Sequence, residues 1–177
     1  MRMRTVLMLA FVLSLTVHTT GNAAAGTGAC HLLTNAEIAA AFPGAKPGVP
    51  ETAREKYGIL GCEWATPSGR VAAQFWKNES PTTARAEAEG LMLGVLDPLK
   101  RAGAKAVRYE TLQGVGESAV VAIAKSDAAA GVLTDLAVAV VVVGGRTITI
   151  FAPQLVSAEP AKAIATLTAL ARSAAKR

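Results

Sequence analysis

Asp135-Leu136-Ala137-Val138-Ala139-Val140-Val141-Val142-Val143, then Gly144-Gly145, then Arg146-Thr147-Ile148-Thr149-Ile150-Phe151, is the stretch that decides the fold. β-Branched residues dominate both arms, and the glycine pair between them is the signature of a two-residue hairpin turn. In such a hairpin Val143 faces Arg146, so Val141 pairs with Ile148 and Ala139 with Ile150. The opposite face then carries Val138, Val140 and Val142 against Phe151, Thr149 and Thr147. The first arm is apolar on both faces, which places it where a sheet is covered on both sides. It is also far shorter than the roughly 20 apolar residues that a membrane-spanning helix needs.

Upstream, Ala106–Leu112 and Ala119–Ala124 read as two strands around a glycine turn, and Val71–Trp76 as a fifth strand. Thr34-Asn35-Ala36-Glu37 matches a capping box, so a short helix is expected through about Phe42, ended by Pro43-Gly44. Ile38 and Phe42 share one face of it and should point inward. Residues 44–61, punctuated by glycine and proline, read as a loop. Ser80-Pro81 resembles an N-cap with proline in the first helical position. Ala84, Ala88, Leu91, Met92, Val95, Leu96 and Leu99 then form the stripe of an amphipathic helix, with Pro98 kinking or ending it. Ser157–Lys176 reads as a last helix capped by Ser157. Its stripe is Ile164, Leu167, Ala171 and Ala174, and Arg172, Lys176 and Arg177 sit where the helix dipole favours cations. Long hairpins with helices set apart predict an α+β fold: one mainly antiparallel sheet of about five strands packed with about three helices.

The first 25 residues read as a signal peptide. Arg2 and Arg4 give a positive start, Thr5–Val17 an apolar run, and Ala23-Ala24-Ala25 a small-residue cleavage site, so cleavage is expected after Ala25. The rest, 26–177, has the length of a single domain. The net charge of +5 falls to +3 once Arg2 and Arg4 are removed. The remaining positive residues are scattered and aromatics are few, which argues against a nucleic-acid-binding face.

Cys30 and Cys62 are the two cysteines of the chain. In an exported protein an even count favours a disulfide, here bounding the segment 30–62. Trp64, two residues past Cys62, should pack near the bridge. Two alternatives stand beside it. Cys30, preceded by Gly28-Ala29, resembles a lipidated cysteine, although Thr27 replaces the usual aliphatic residue. Two thiols with His31 resemble part of a metal site, but lack the ligand number and spacing of one.

Other motifs give no catalytic or cofactor residues. Gly114-Val115-Gly116-Glu117-Ser118-Ala119 matches a dinucleotide fingerprint in form. The segment after it, Val120–Ala124, reads as strand, where a phosphate site needs a helix N-terminus, so the motif reads as a turn between strands. Ser118 lacks the second glycine of a nucleophile elbow, and a base for it would have to be His31. Glu87 and Glu89 point to different sides of their helix and do not form a pair. Asn78-Glu79-Ser80 matches a glycosylation acceptor, disfavoured by Pro81. Residues 51–57 place charges and Tyr57 in the disulfide-bounded loop; such loops carry binding function elsewhere, and a solvated loop is the simpler reading.

Cys30-His31-Leu32-Leu33-Thr34-Asn35-Ala36-Glu37-Ile38, with Cys62-Glu63-Trp64 about thirty residues on, resembles a broad group of small bacterial exported proteins and lipoproteins of unknown function. The glycine turn at 114–119 is similar to one in the same group. The resemblance implies a two-cysteine envelope domain and carries no activity. The function expected is therefore a non-enzymatic binding or interaction module of the cell envelope, exported to the periplasm or secreted. Its partner would be an envelope protein or a small ligand, with no cofactor. The alternative is an envelope hydrolase acting on wall or lipid substrates.

Overall fold

The computed structural model describes residues 28–91, 107–124 and 136–177. The signal segment, the cleavage site after Ala25, the helix stripe from Met92 to Leu99 and Asp135 lie outside the described residues.

A 3-10 turn, Gly28–His31, leads into helix α1 (Asn35–Ala41). The capping box forms as expected: Glu37 N–H donates to Thr34 Oγ1 (3.2 Å), and Thr34 N–H donates to Glu37 Oε2 (2.7 Å). Ile38 and Phe42 are both buried. Strands β1 (Val49–Glu51), β2 (Leu60–Thr66) and β3 (Gly69–Lys77) come next in the chain. Helix α2 is described over residues 84–91. Strands β4 (Val107–Thr111), β5 (Ser118–Ala124), β6 (Leu136–Val143) and β7 (Arg146–Phe151) follow. A 3-10 turn over Pro153–Ser157 leads into helix α3 (Pro160–Ala174). The strands form one antiparallel sheet in the order β1-β2-β3-β7-β6-β5-β4.

The fold is α+β, and among the described residues the sheet has seven strands where about five were expected. Of the two additional ones, β1 lies within the 44–61 segment read as a loop, and β2 starts at its end and runs on to Thr66. β2 alternates Leu60, Cys62 and Trp64 with Gly61, Glu63 and Ala65, but Gly61 obscures that pattern. β1 holds Pro50, which an edge strand tolerates because it needs no donor on its free side. The central hairpin has the expected register, with Val143 opposite Arg146, Val141 opposite Ile148 and Ala139 opposite Ile150. Gly144 and Gly145 take φ of 58° and 68°, the left-handed pair that matches the twist of the flanking strands.

Two helix starts differ from expectation. α2 is capped by Thr83 rather than Ser80: Thr83 Oγ1 accepts from Ala86 N–H (3.2 Å) and its carbonyl from Glu87 N–H (3.0 Å). α3 begins at Pro160 rather than after Ser157, because the proline ring disfavours helical backbone at the residue before it.

One face of the sheet is closed. The row Cys62, Ala73, Ile150, Ala139 and Val121 crosses five strands and is apolar throughout. All of it is buried in one core with Leu32, Leu33, Ile38, Trp64 and the α3 residues Ala163, Leu167, Leu170, Ala171 and Ala174. The other face is divided. Its apolar half, Val120, Ala122, Val138, Val140 and Val142, packs against Ala84 and Ala88 of α2. β6 is therefore buried on both sides, as its all-apolar sequence requires. Among the described residues no helix is long and apolar enough to cross a membrane.

Candidate functional site

The row directly beside the closed one runs Glu51, Gly61, Gln74, Thr149, Val140 and Val120 on the second face. It is polar on β1, β3 and β7 and apolar on β6 and β5. Gln74 is only 7% exposed, so burying its amide is tolerable only if it is hydrogen-bonded. Its Nε2 donates to Glu51 Oε2 (2.8 Å), and its Oε1 accepts from Arg54 Nη1 (3.4 Å). Glu51 reaches across β2 because Gly61 has no side chain: a Cβ there would lie 2.7 Å from Glu51 Oε2. Arg54 Nε also stands 3.8 Å from Glu51 Oε1. A neighbouring row holds Trp76 and Thr147, whose Oγ1 donates to Asn78 Oδ1 (2.8 Å). Thr149 is fully buried, and its hydroxyl has no hydrogen-bond partner among the described residues.

Over this polar half lies an open cleft of about 600 Å³. Gln74, Trp76 and Phe151 come from the sheet, and Arg54, Tyr57, Gly58 and Ile59 from the loop before β2. The segment Lys77–Thr82 and the α2 residues Glu87 and Leu91 complete the lining. Tyr57 is 71% exposed, an unusual position for a large aromatic side chain. The volume falls in the range of small-ligand sites, roughly 300–1,000 Å³. A smaller depression of about 300 Å³ runs beside β1, between Lys46 and Ala65.

The opposite face is where the sequence placed its cysteines. Cys30 and Cys62 form a disulfide with Cα atoms 4.9 Å apart, tying the first 3-10 turn to β2. The bond occupies the Cys30 sulfur that lipidation would need. Trp64 packs at this pole as expected. A Cβ on Gly48 would meet both its indole and Cys62 Sγ, and its Nε1 donates to Asn35 Oδ1 (3.0 Å). Arg177 closes the same region: Nη1 donates to Leu32 O (2.8 Å) and to Glu37 Oε2 (2.9 Å), and Nη2 to Glu37 Oε1 (3.0 Å). Partial burial raises the Glu37 pKa, but the Arg177 guanidinium and the Thr34 bonds outweigh it and hold the carboxyl down at about 2.

His31 Nδ1–H donates to Gly28 O (2.6 Å), and its ring meets Phe75 edge-on at 5.7 Å on the closed face. Ser118 lies on the second face, where its hydroxyl oxygen accepts from Ala84 N–H (2.7 Å) at the start of α2. The sheet stands between these two, so they make no nucleophile–base pair. The 114–119 motif is a turn between β4 and β5, anchored by Glu117 N–H to Val142 O (2.8 Å). Glu89 pairs with Arg85, whose guanidinium sits 3.7 Å from the Tyr109 ring centroid, while Glu87 lines the cleft. Among the described residues no cluster of three or more histidine, cysteine or acidic side chains is placed to hold a metal.

Of the residues that the sequence singles out, Arg54 and Tyr57 of the 51–57 loop, Asn78-Glu79-Ser80 with Pro81, and Glu87 line the cleft. Gln74 and Trp76 stand in the sequence only as parts of a strand. The signal for them is a glutamine within an apolar strand and threonines alternating with isoleucines in the facing one. No known protein family matches the chain, and no curated protein is similar enough to count as a relative.

Proposed function

We propose that the protein is exported, is cleaved after Ala25 and acts in the cell envelope as a non-enzymatic binding module. It takes a small ligand in the cleft between the 54–59 loop and α2. The observation that carries this reading is the polar half-row under the cleft. Gln74 lines the cleft, and Glu51 and Thr149 of its row, with Thr147 of the next, occupy sheet positions where apolar side chains would give a simpler core. Polar groups kept at that cost are expected where something polar must be met. The 54–59 loop lies inside the disulfide-bounded segment, so the bridge holds one wall of the cleft to the body of the domain.

The test is an amide NMR screen of the protein against a library of neutral, anionic and cationic fragments. The reading expects shifts grouped at residues 54–59 and 74–82. Shifts grouped at the disulfide pole, or none from any fragment, would contradict it. The second reading, an envelope hydrolase, draws on Glu79 and Glu87, two carboxylates that line the same cleft. It requires turnover of a wall or lipid substrate that Glu87→Gln abolishes.

A further inference from the structure

Resting on the cleft as the binding site, we infer that its ligand is neutral and hydroxyl-rich, of the saccharide type and about a disaccharide in size. Charge is the first ground. The lining carries two cations, Arg54 and Lys77, and two anions, Glu79 and Glu87. Arg54 is further countered by Glu51 and engaged by Gln74. With Glu51 included the site has two cations and three anions, so no surplus of positive charge is there for an anion and the balance stays close to neutral.

The second ground is the kind of hydrogen bonding available. Gln74 is engaged by Glu51 and Arg54 and Asn78 Oδ1 by Thr147, so the groups presented to a ligand are the Asn78 amide N–H and the Ser80 and Thr82 hydroxyls, which are neutral and offer both donors and acceptors. A sugar hydroxyl also donates and accepts at once, so it can satisfy such groups without matching a fixed pattern of charge. The third is the apolar surface. Trp76 and Phe151 border the polar groups, and Tyr57 stands exposed beside them. A pyranose ring has C–H faces suited to an aromatic plane and hydroxyl edges suited to amides. The cleft provides both in about 600 Å³. Rigid aromatic side chains provide such contact area at small entropic cost.

The experiment is calorimetric titration of the full chain, with Trp76 emission followed in parallel. The probes are matched in size and differ in charge: lactose against lactobionate, and N,N′-diacetylchitobiose against its doubly deacetylated, cationic form. At least one neutral disaccharide should bind saturably and shift the tryptophan emission, with its charged counterpart about tenfold weaker or more. Trp76→Ala should weaken that binding about tenfold, and Tyr57→Ala, at the exposed rim, should weaken it several-fold without disturbing the fold. Tighter binding of a charged member, or sugar binding that survives both substitutions, overturns the inference. If the disaccharides fail while other fragments shift the cleft amides, the ligand class is wrong and the cleft reading stands. If nothing shifts those amides, both fall.

Discussion

The two faces of the sheet are built from the same strands, and adjacent residues on them do opposite things. Ala73 and Ile150 belong to a row that is apolar from β2 to β5 and sealed under α1 and α3. Gln74 and Thr149, one residue along on each strand, belong to a row that is polar up to β7 and apolar beyond it. The closed face is held by a disulfide, a capping box and the Arg177–Glu37 pair. The divided face is covered by α2 where it is apolar and left as a cleft where it is polar. The difference separates the part of the sheet that is packed shut from the part that is left open.

The largest effect expected from this contrast is at the tryptophans. Trp64→Ala removes a fully buried indole and leaves Asn35 without that donor, and should cost about 3–5 kcal/mol in a denaturant titration. Trp76→Ala, on the partly exposed floor of the cleft, should cost nearer about 1 kcal/mol. Equal losses would mean that the two indoles are packed alike.

Replacing Cys30 and Cys62 by serine should cost about 2–4 kcal/mol. Hydrogen exchange should then loosen residues 30–62 before the β6–β7 hairpin. Simultaneous loosening of both would mean that the bridge does not hold that segment separately.

A smaller effect is expected at Glu37. Its folded-state pKa of about 2 lies below the ordinary 4.5, so the folded protein prefers the carboxylate. This contribution is complete above about pH 4.5 and is lost as pH falls toward 2. Arg177→Ala should flatten the decline in stability over that window and cost about 1 kcal/mol at neutral pH, as suits a partly exposed pair. An unchanged slope between pH 4.5 and 2 would show that the pair does not set it. Tyr57→Ala should change stability by no more than about 0.5 kcal/mol.

Local rules made the closed face legible in the sequence. The capping box, the cysteine pair and the Gly144-Gly145 turn each act over a few residues or on an unambiguous count, and the structure has them as read. β1 and β2 were not legible, because Pro50 and Gly61 are loop signals that mean something else in place. Pro50 sits on an edge, and Gly61 clears a path for Glu51. The start of α2 at Thr83 is not legible locally, because Ser118, more than thirty residues away, meets the first N–H of the helix. The cleft was half legible. The 51–57 loop stands out by its charges and Tyr57, whereas Gln74 has meaning only through the register that sets it in one row with Glu51 and Thr149. Polar residues in strands announce a site only once the rows are known.

One face of the sheet is sealed and the other open, and each tryptophan belongs to one of them, so their emission reports on both. Acrylamide quenching should be measured on the unaltered, oxidised protein and on Trp76→Phe, which leaves Trp64 as the only emitter. The account predicts that the unaltered protein is quenched and that Trp76→Phe loses most of the quenchable emission, regaining it only after the disulfide is reduced. If the emission of Trp76→Phe is as accessible to quencher in the oxidised state as that of the unaltered protein, the closed face is not closed and the account is contradicted.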